Sequence, residues 1–326
     1  MKIVGMIQAK EWSGPERFPG KAFYPLAGKP ALWHCAQRLL RLCSDLYFMP
    51  TPQCTGIINL AKELGASYVV NKSPWTIEGW AAVHKKAKAD AYLFMLGDSP
   101  LAYDGMVDRL LDLLREYTTV LASAEDTGVF RQCGIVNVYT AEEIEFRIAN
   151  CNTDALRGRP ELLYLERPDL LARGSPAVFP YTKQELMYGQ SGGYHLRLEY
   201  QIDGFVLGEL FADLYDGKPI DTFVAIDWCK AHPEIAKYNQ WIVDGLIDLK
   251  SERARSAMRR LEHQIAAAKD DRNKLQRCER CELYLGYIRE ERARHRFYLP
   301  DGTILVGNGR VTCSRCGEVR SWWEDR

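Results

Sequence analysis

The chain has 326 residues, 47% of them hydrophobic and 26% charged, with Lys+Arg and Asp+Glu both at 43. That is a soluble globular composition, long enough for one large domain plus a small one, and a net charge of zero says nothing about partners. No apolar run is long enough to span a membrane, and Met1-Lys2 leads into a strand-like run without a signal-peptide plan, so a cytoplasmic protein is expected.

In chain order, the first 125 residues alternate strand and helix patterns. Strands are expected at Lys2–Gln8, Leu46–Met49, Ser67–Val70, Tyr92–Leu96 and Thr119–Ala122. Apolar residues recur at helical spacing over Ala31–Cys43, Ile57–Leu64, Ile77–Ala89 and Met106–Tyr117. Tyr92-Leu93-Phe94-Met95-Leu96 is a continuous apolar run, suited to a strand buried on both faces. Repeated βα units of this length predict an α/β layer architecture around a mixed, mostly parallel sheet. Farther on, Thr140-Ala141-Glu142-Glu143 reads as a capping box opening a helix through Ala149. Residues 151–190 are rich in Pro, Gly and Arg and read as an excursion over the sheet. Leu196–Tyr200 reads as a strand, Phe205–Tyr215 as a helix, and His232-Pro233-Glu234 as the start or kink of another helix. The chain divides into 1–245, a helical linker over 246–276, and a small module at 277–326.

Two segments carry chemistry. Residues 8–30, QAKEWSGPERFPGKAFYPLAGKP, follow the first strand as a Gly/Pro-interrupted loop with Lys10, Arg17 and Lys21. Three cations beside backbone N–H groups suit a triphosphate, although a solvated basic surface loop has the same composition. Directly after the buried run comes Leu96-Gly97-Asp98-Ser99-Pro100-Leu101. A carboxylate at the C-terminal end of a central strand sits where α/β sheets bind ligands. One or two carboxylates with substrate phosphates are a usual Mg²⁺ shell, so Asp98 is a candidate metal anchor. Gly-Asp-Ser-Pro is also good turn chemistry.

Taken together, E-R-F-P-G-K (residues 16–21), L-A-G-K-P (residues 26–30) and G-D-S-P-L (residues 97–101) resemble the cytidylyltransferases that make CMP-activated sugars. These include the 3-deoxy-manno-octulosonate and acylneuraminate enzymes and the spore-coat polysaccharide biosynthesis protein F group. Cys133–Thr140 and Ala231-His232-Pro233-Glu234-Ile235 add to the likeness, which covers roughly residues 1–240. The resemblance implies a glycosyltransferase-A-like nucleotidyltransferase fold that transfers CMP from CTP, or a nucleotide from another NTP, to a sugar hydroxyl with release of pyrophosphate. It implies a nucleotide site at Gln8, Ala9, Lys10, Arg17, Lys21 and Gly97, with Lys10, Arg17, Lys21 and Asp98 as catalytic residues and Asp98 on Mg²⁺. Lys10 stands where the family has an arginine. Gln201 falls where it has a second aspartate. Asp203, two residues on, would share that face of a strand and could replace it on Mg²⁺, or could cap the following helix. A homodimer is compatible with this reading.

The ten cysteines split into two sets. Cys35, Cys43, Cys54, Cys133, Cys151 and Cys229 are scattered, mostly among apolar residues, and read as buried thiols. Cys278, Cys281, Cys313 and Cys316 form two C-x-x-C pairs. Between them, His295–Leu299, a Pro300-Asp301-Gly302 turn and Thr303–Val306 read as a hairpin. That is the layout of a zinc ribbon with four thiolates on a structural Zn²⁺. Arginines and tryptophans around it leave nucleic acid or a protein as partners. An alternative of another class is therefore a diverged nucleotidyltransferase-fold protein that acts as a nucleotide-, nucleic-acid- or protein-binding module through this ribbon.

Overall fold

The computed structural model describes residues 1–9, 18, 20–73, 75–117, 119–122, 129–171, 179–190, 194–237, 273–277, 284–291, 294–299, 304–306, 309–312 and 319–322. The chain forms two compact units, Met1–Asp244 and Gly245–Arg326.

The first unit opens with β1 (Ile3–Gln8) and a small hairpin of β2 (Pro25–Leu26) and β3 (Lys29–Pro30). There follow α1 (Ala31–Leu40), β4 (Asp45–Phe48), α2 (Thr55–Glu63), β5 (Ser67–Tyr68), α3 (Thr76–Ala87), β6 (Ala91–Leu96), α4 (Val107–Leu113), β7 (Asn137–Thr140) and α5 (Ala141–Asn150). Short helices α6 (Asp154–Gly158) and α7 (Leu163–Glu166) precede α8 (Lys183–Gln190), α9 (Gln201–Leu214), α10 (Thr222–Ala231) and α11 (Pro233–Ala236). The five-stranded sheet runs β5-β4-β1-β6-β7. The first four are parallel and β7 is antiparallel to β6.

The sheet is buried on both faces, which is why its central strands read as unbroken apolar runs. The pleat sends alternate residues to opposite layers. Val4 and Met6 of β1 with Tyr92 and Phe94 of β6 pack against Ile77, Trp80 and Val83 of α3 and Ile144 of α5. Ile7, Leu93 and Met95 pack on the other side against Leu32, Cys35 and Leu39 of α1, Leu110 of α4 and Leu207 of α9.

Several boundaries depart from expectation for physical reasons. Thr119–Ala122 is not a strand. The Thr119 hydroxyl donates to Glu143 Oε2 at 2.6 Å, tying this stretch to α5, and β7 takes the place beside β6 instead. Leu196–Tyr200 is not a strand either, because its N–H groups go to different segments: Leu196 to the Gln132 carbonyl and Leu198 to that of Asp98. α10 is a helix whose N-cap is legible: the Asp221 carboxylate accepts from the N–H groups of Phe223 and Val224. At α5, Thr140 Oγ1 accepts from the Glu143 N–H as a capping box requires, but the Glu143 carboxylate turns inward to Thr119, Tyr164 and Arg147. Five of the six scattered cysteines are buried thiols and Cys43 is half-buried.

The second unit contains a four-stranded antiparallel sheet, β11 (Ile304–Val306), β10 (Arg294–Tyr298), β9 (Tyr284–Glu291) and β8 (Asn273–Arg277), and a hairpin of β12 (Gly309–Thr312) and β13 (Val319–Trp322). The expected hairpin is present, with Tyr298 opposite Ile304. The helical pattern read through residue 276 gives way to β8, whose residues pair with β9. Cys278, Cys281, Cys313 and Cys316 lie outside the described residues. In the sequence, one pair falls between β8 and β9 and the other between β12 and β13. Among the described residues, no helix is long and apolar enough to cross a membrane.

Candidate active site

From β1 the chain moves outward through α1 to β4 and then to β5, and α3 brings it back across to β6 on the other side of β1. β4 and β5 extend the sheet on one side and β6 on the other. The C-terminal ends of β1 and β6 therefore flank a topological switch point, where diverging connections leave a crevice. Gln8 lies opposite Leu96, and the Gly97 N–H donates to the Gln8 carbonyl at 2.8 Å. The two motif-bearing loops thus leave the sheet side by side. Gly97 has no room for a side chain: a Cβ there would stand 2.8 Å from both Ala9 Cβ and Leu32 Cδ1. Gly97→Ala is expected to cost about 1–3 kcal/mol by overpacking, read as a lower urea midpoint at unchanged slope.

Lys21 reaches the crevice from a short 3₁₀ turn, Lys21–Phe23, whose start is set by Gly20 at φ 72°. The β2–β3 turn beyond it has positive φ at both central residues, 44° at Ala27 and 76° at Gly28, as a type I′ turn requires. This returns the chain so that the Ala31 N–H donates to the Tyr24 carbonyl and α1 begins. Lys21 Nζ donates to Asp98 Oδ2 at 2.6 Å. Arg197 Nη2 stands 3.6 Å from Asp98 Oδ1 and 3.2 Å from Glu199 Oε1. Ser99 Oγ also donates to Asp98 Oδ1. Lys21, Asp98 and Arg197 side chains are each only 13% exposed. Burial alone would raise the Asp98 pKa, but the charges of Lys21 and Arg197 and the hydrogen bonds of Lys21 and Ser99 hold it well below the usual carboxylate range. Asp98 is an anion at neutral pH.

The main-chain bonds of Leu196 and Leu198 fix the segment, and Arg197 between them meets Asp98. His195 is buried, 6% exposed. Burial lowers its pKa to about 4, with Arg197 and Lys21 adding to the effect while Glu199 and Asp98 oppose it. It is neutral at pH 7, with Nε2 3.5 Å from Asp203 Oδ2. Its folded pKa lies below the unfolded value near 6.5, so its contribution to stability is present above pH 6.5 and is lost as pH falls toward 4. The expected loss is on the order of 3 kcal/mol. His195→Asn should flatten that part of a stability-against-pH curve followed by chemical denaturation.

Asp203 has two readings in the sequence, a strand residue sharing a face with Gln201 and free for Mg²⁺, or a cap of the following helix. Both residues lie in the first turn of α9, roughly 200° apart around the axis. The Asp203 carboxylate is fully buried and accepts from the N–H groups of Glu199 at 2.8 Å and Tyr200 at 2.7 Å, closing a capping box. The structure shows it as a cap. Among the described residues, no three His, Cys, Asp or Glu side chains are grouped to hold a metal ion. Asp98 is a carboxylate at the C-terminal end of β6, which suits a cation whose shell phosphates complete.

Of the other expected residues, Gln8 ends β1 and donates through Nε2 to Thr76 Oγ1 at 2.7 Å, while Ala9 is buried. Lys10 and Arg17 lie outside the described residues. Arg38 of α1 was not anticipated. Fully buried, its guanidinium donates to the Pro100 carbonyl, Asp104 and the Ile220 carbonyl, which clamps the loop that carries Asp98. Its signal in the sequence was a basic residue on the apolar face of a helix. Trp80 is fully buried packing, and Arg157 lies against Trp75 and pairs with Glu78.

Comparison with known proteins bears on the same region. A cytidylyltransferase from Leptospira borgpetersenii superposes with a TM-score of 0.61 at 19% identity, over 72% of this chain and 97% of that one. Looser matches are CMP:2-keto-3-deoxy-manno-octonic acid synthetase complexed with CTP (TM-score 0.39, 16% identity, 52% and 87% coverage) and 4-diphosphocytidyl-2C-methyl-D-erythritol synthase from Anaerococcus prevotii (0.46, 13%, 65% and 96%). No curated protein matches the sequence. The Leptospira structure shows a shared nucleotidyltransferase-type α/β fold. The family model of the MobA-like NTP transferase domain matches residues 16–197, from the basic loop through Asp98 to Arg197. Over that span, more than half of its length, the chain belongs to the MobA-like NTP transferase domain family.

Proposed function

We propose that the protein transfers CMP from CTP to a sugar hydroxyl. The hydroxyl oxygen bonds to the α-phosphorus, the bond to the β-phosphate oxygen breaks, and pyrophosphate and the hydroxyl proton leave. The observation that carries this reading is the Lys21–Asp98–Arg197 cluster at the switch point of the sheet. Phosphoryl-group transfer needs positioning and charge neutralisation more than covalent chemistry, and two partly buried cations supply both. Lys10 and Arg17, on the same loop as Lys21, would add to the grip on the triphosphate. Asp98 would hold Mg²⁺, which supplies further neutralisation of phosphate charge when bound. Asp203, engaged as a helix cap, is not assigned to that shell. Cytosine is favoured by the likeness of the ERFPGK, LAGKP and GDSPL motifs to CMP-sugar synthetases. The test is pyrophosphate release with each NTP against a panel of acidic and amino sugars. Release with CTP and one sugar is expected. No release with any pair, together with no NTP-dependent thermal shift, would overturn the reading.

For the second unit, the proposal is one structural Zn²⁺ on Cys278, Cys281, Cys313 and Cys316. Its support is that each C-x-x-C falls between two strands that pair antiparallel, β8 with β9 and β12 with β13. Four thiolates make a closed site without catalytic access. Metal analysis of untreated protein should give about one zinc per chain. A clear deficit, in protein purified without chelator, would count against it.

A further inference from the structure

Lys21 occupies the carboxylate that a divalent cation would need. Its ammonium donates to Asp98 Oδ2 at 2.6 Å, and Arg197 stands 3.6 Å from the other oxygen. Glu199 balances Arg197 at 3.2 Å, so the four groups together are neutral. A divalent cation arriving alone must displace an ammonium from a partly buried anion and leave three cationic groups facing two carboxylates. A triphosphate arriving with it changes the balance. It offers several anionic oxygens to Lys21 and Arg197, and both can move from carboxylate to phosphate without losing a charged partner.

We propose that Lys21 and Arg197 keep Asp98 closed to divalent cations until a nucleoside triphosphate draws them away, and that Arg197 is therefore a phosphate-binding residue alongside Lys21. Metal and nucleotide then load together. This rests on the nucleotidyltransferase reading, and it adds a dependence that reading does not require. Two ligands that favour the same rearrangement help each other by equal factors. Stray metal would also not idle in the site, because the closed form is the resting one.

The test uses the full chain and Mn²⁺ alone, followed by its electron paramagnetic resonance signal. Wild type should bind Mn²⁺ weakly at the Asp98 site. Lys21→Met should bind it about fivefold or more tightly, within the usual range of coupling between sites. Lys21→Gln is the second variant should the first fold poorly, and circular dichroism confirms folding of each. Adding Asp98→Asn to Lys21→Met should abolish the gain, which places it at this carboxylate. In parallel, CTP affinity in EDTA, measured by calorimetry, should fall in both Lys21→Met and Arg197→Met. Mn²⁺ binding to Lys21→Met and Lys21→Gln no tighter than to wild type would overturn the closure. CTP affinity unchanged by Arg197→Met would overturn the role given to Arg197. If no nucleoside triphosphate binds wild type with or without Mn²⁺, the nucleotidyltransferase reading fails, while the Mn²⁺ comparison still decides whether Lys21 closes Asp98.

Discussion

Asp98→Ala should lower the turnover rate for pyrophosphate release by about 10²–10³-fold, the usual effect of removing one electrostatic contributor from a preorganised site. CTP binding should survive the change. The substitution removes an anion and leaves Lys21 and Arg197 in place, so the crevice becomes more positive and a polyanion is held at least as well. The expected signature is a loss in turnover, measured by a coupled pyrophosphate assay, with no rise in the CTP dissociation constant measured by calorimetry in EDTA. Turnover close to wild type would show that Asp98 is not at the reacting phosphates. A parallel collapse of turnover and CTP affinity, with circular dichroism unchanged, would count against the separation of roles, since Arg38 and the main chain hold this loop in place without the Asp98 carboxylate.

Arg147→Met should cost the first unit a large part of its stability. Arg147 of α5 is 3% exposed and lies between the rings of Tyr139 and Tyr164, 4.8 Å from each centroid. Its Nε donates to Glu143 Oε1 at 2.6 Å and its Nη1 to the Pro160 carbonyl at 2.5 Å. Removing the guanidinium leaves the buried Glu143 carboxylate with only neutral partners, the hydroxyls of Thr119 and Tyr164. Breaking a buried pair from one side costs about 3–5 kcal/mol, and each kcal/mol lowers the melting temperature of a domain this size by about 2–4 °C. The double variant Glu143→Gln with Arg147→Met should lose less than the sum of the two single changes, because the pair is coupled. A calorimetric shift of only a degree or two for Arg147→Met would show that the pair is solvated in solution.

The βα order of the first unit was legible because its signals are local. Val4 to Ile7 and Tyr92 to Met95 are apolar on both faces of the pleat, so a buried parallel strand could be read from either run alone. α1 and α3 carried their apolar faces at helical spacing. GDSPL announced a strand end followed by a turn. The C-terminal hairpin around residues 298–304 was legible from its turn residues. What failed were segments whose fate depends on a distant partner. Thr119–Ala122 has strand-forming residues, but a buried hydroxyl bond to Glu143 takes it out of the ladder. Leu196–Tyr200 alternates correctly, yet its N–H groups serve Gln132 and Asp98, far back in the chain. β8 was hidden inside a helical pattern, because an edge strand is fixed by its neighbour's hydrogen bonds more than by its own residues.

Sequence by itself determined the kind of chemistry: a basic Gly/Pro loop after one strand and an aspartate after another are properties of residue type and order. Only the tertiary structure decided which groups meet. The register of β1 against β6 sets Gly97 against Gln8 and so brings the two loops together. Arg197 enters the site, and Asp203 leaves the set of free carboxylates, because α9 begins at Gln201 and turns its first-turn aspartate onto the N–H groups of Glu199 and Tyr200. A carboxylate's role depends on which donors lie within reach, and the start of α9 at Gln201 decides between the two readings by supplying them.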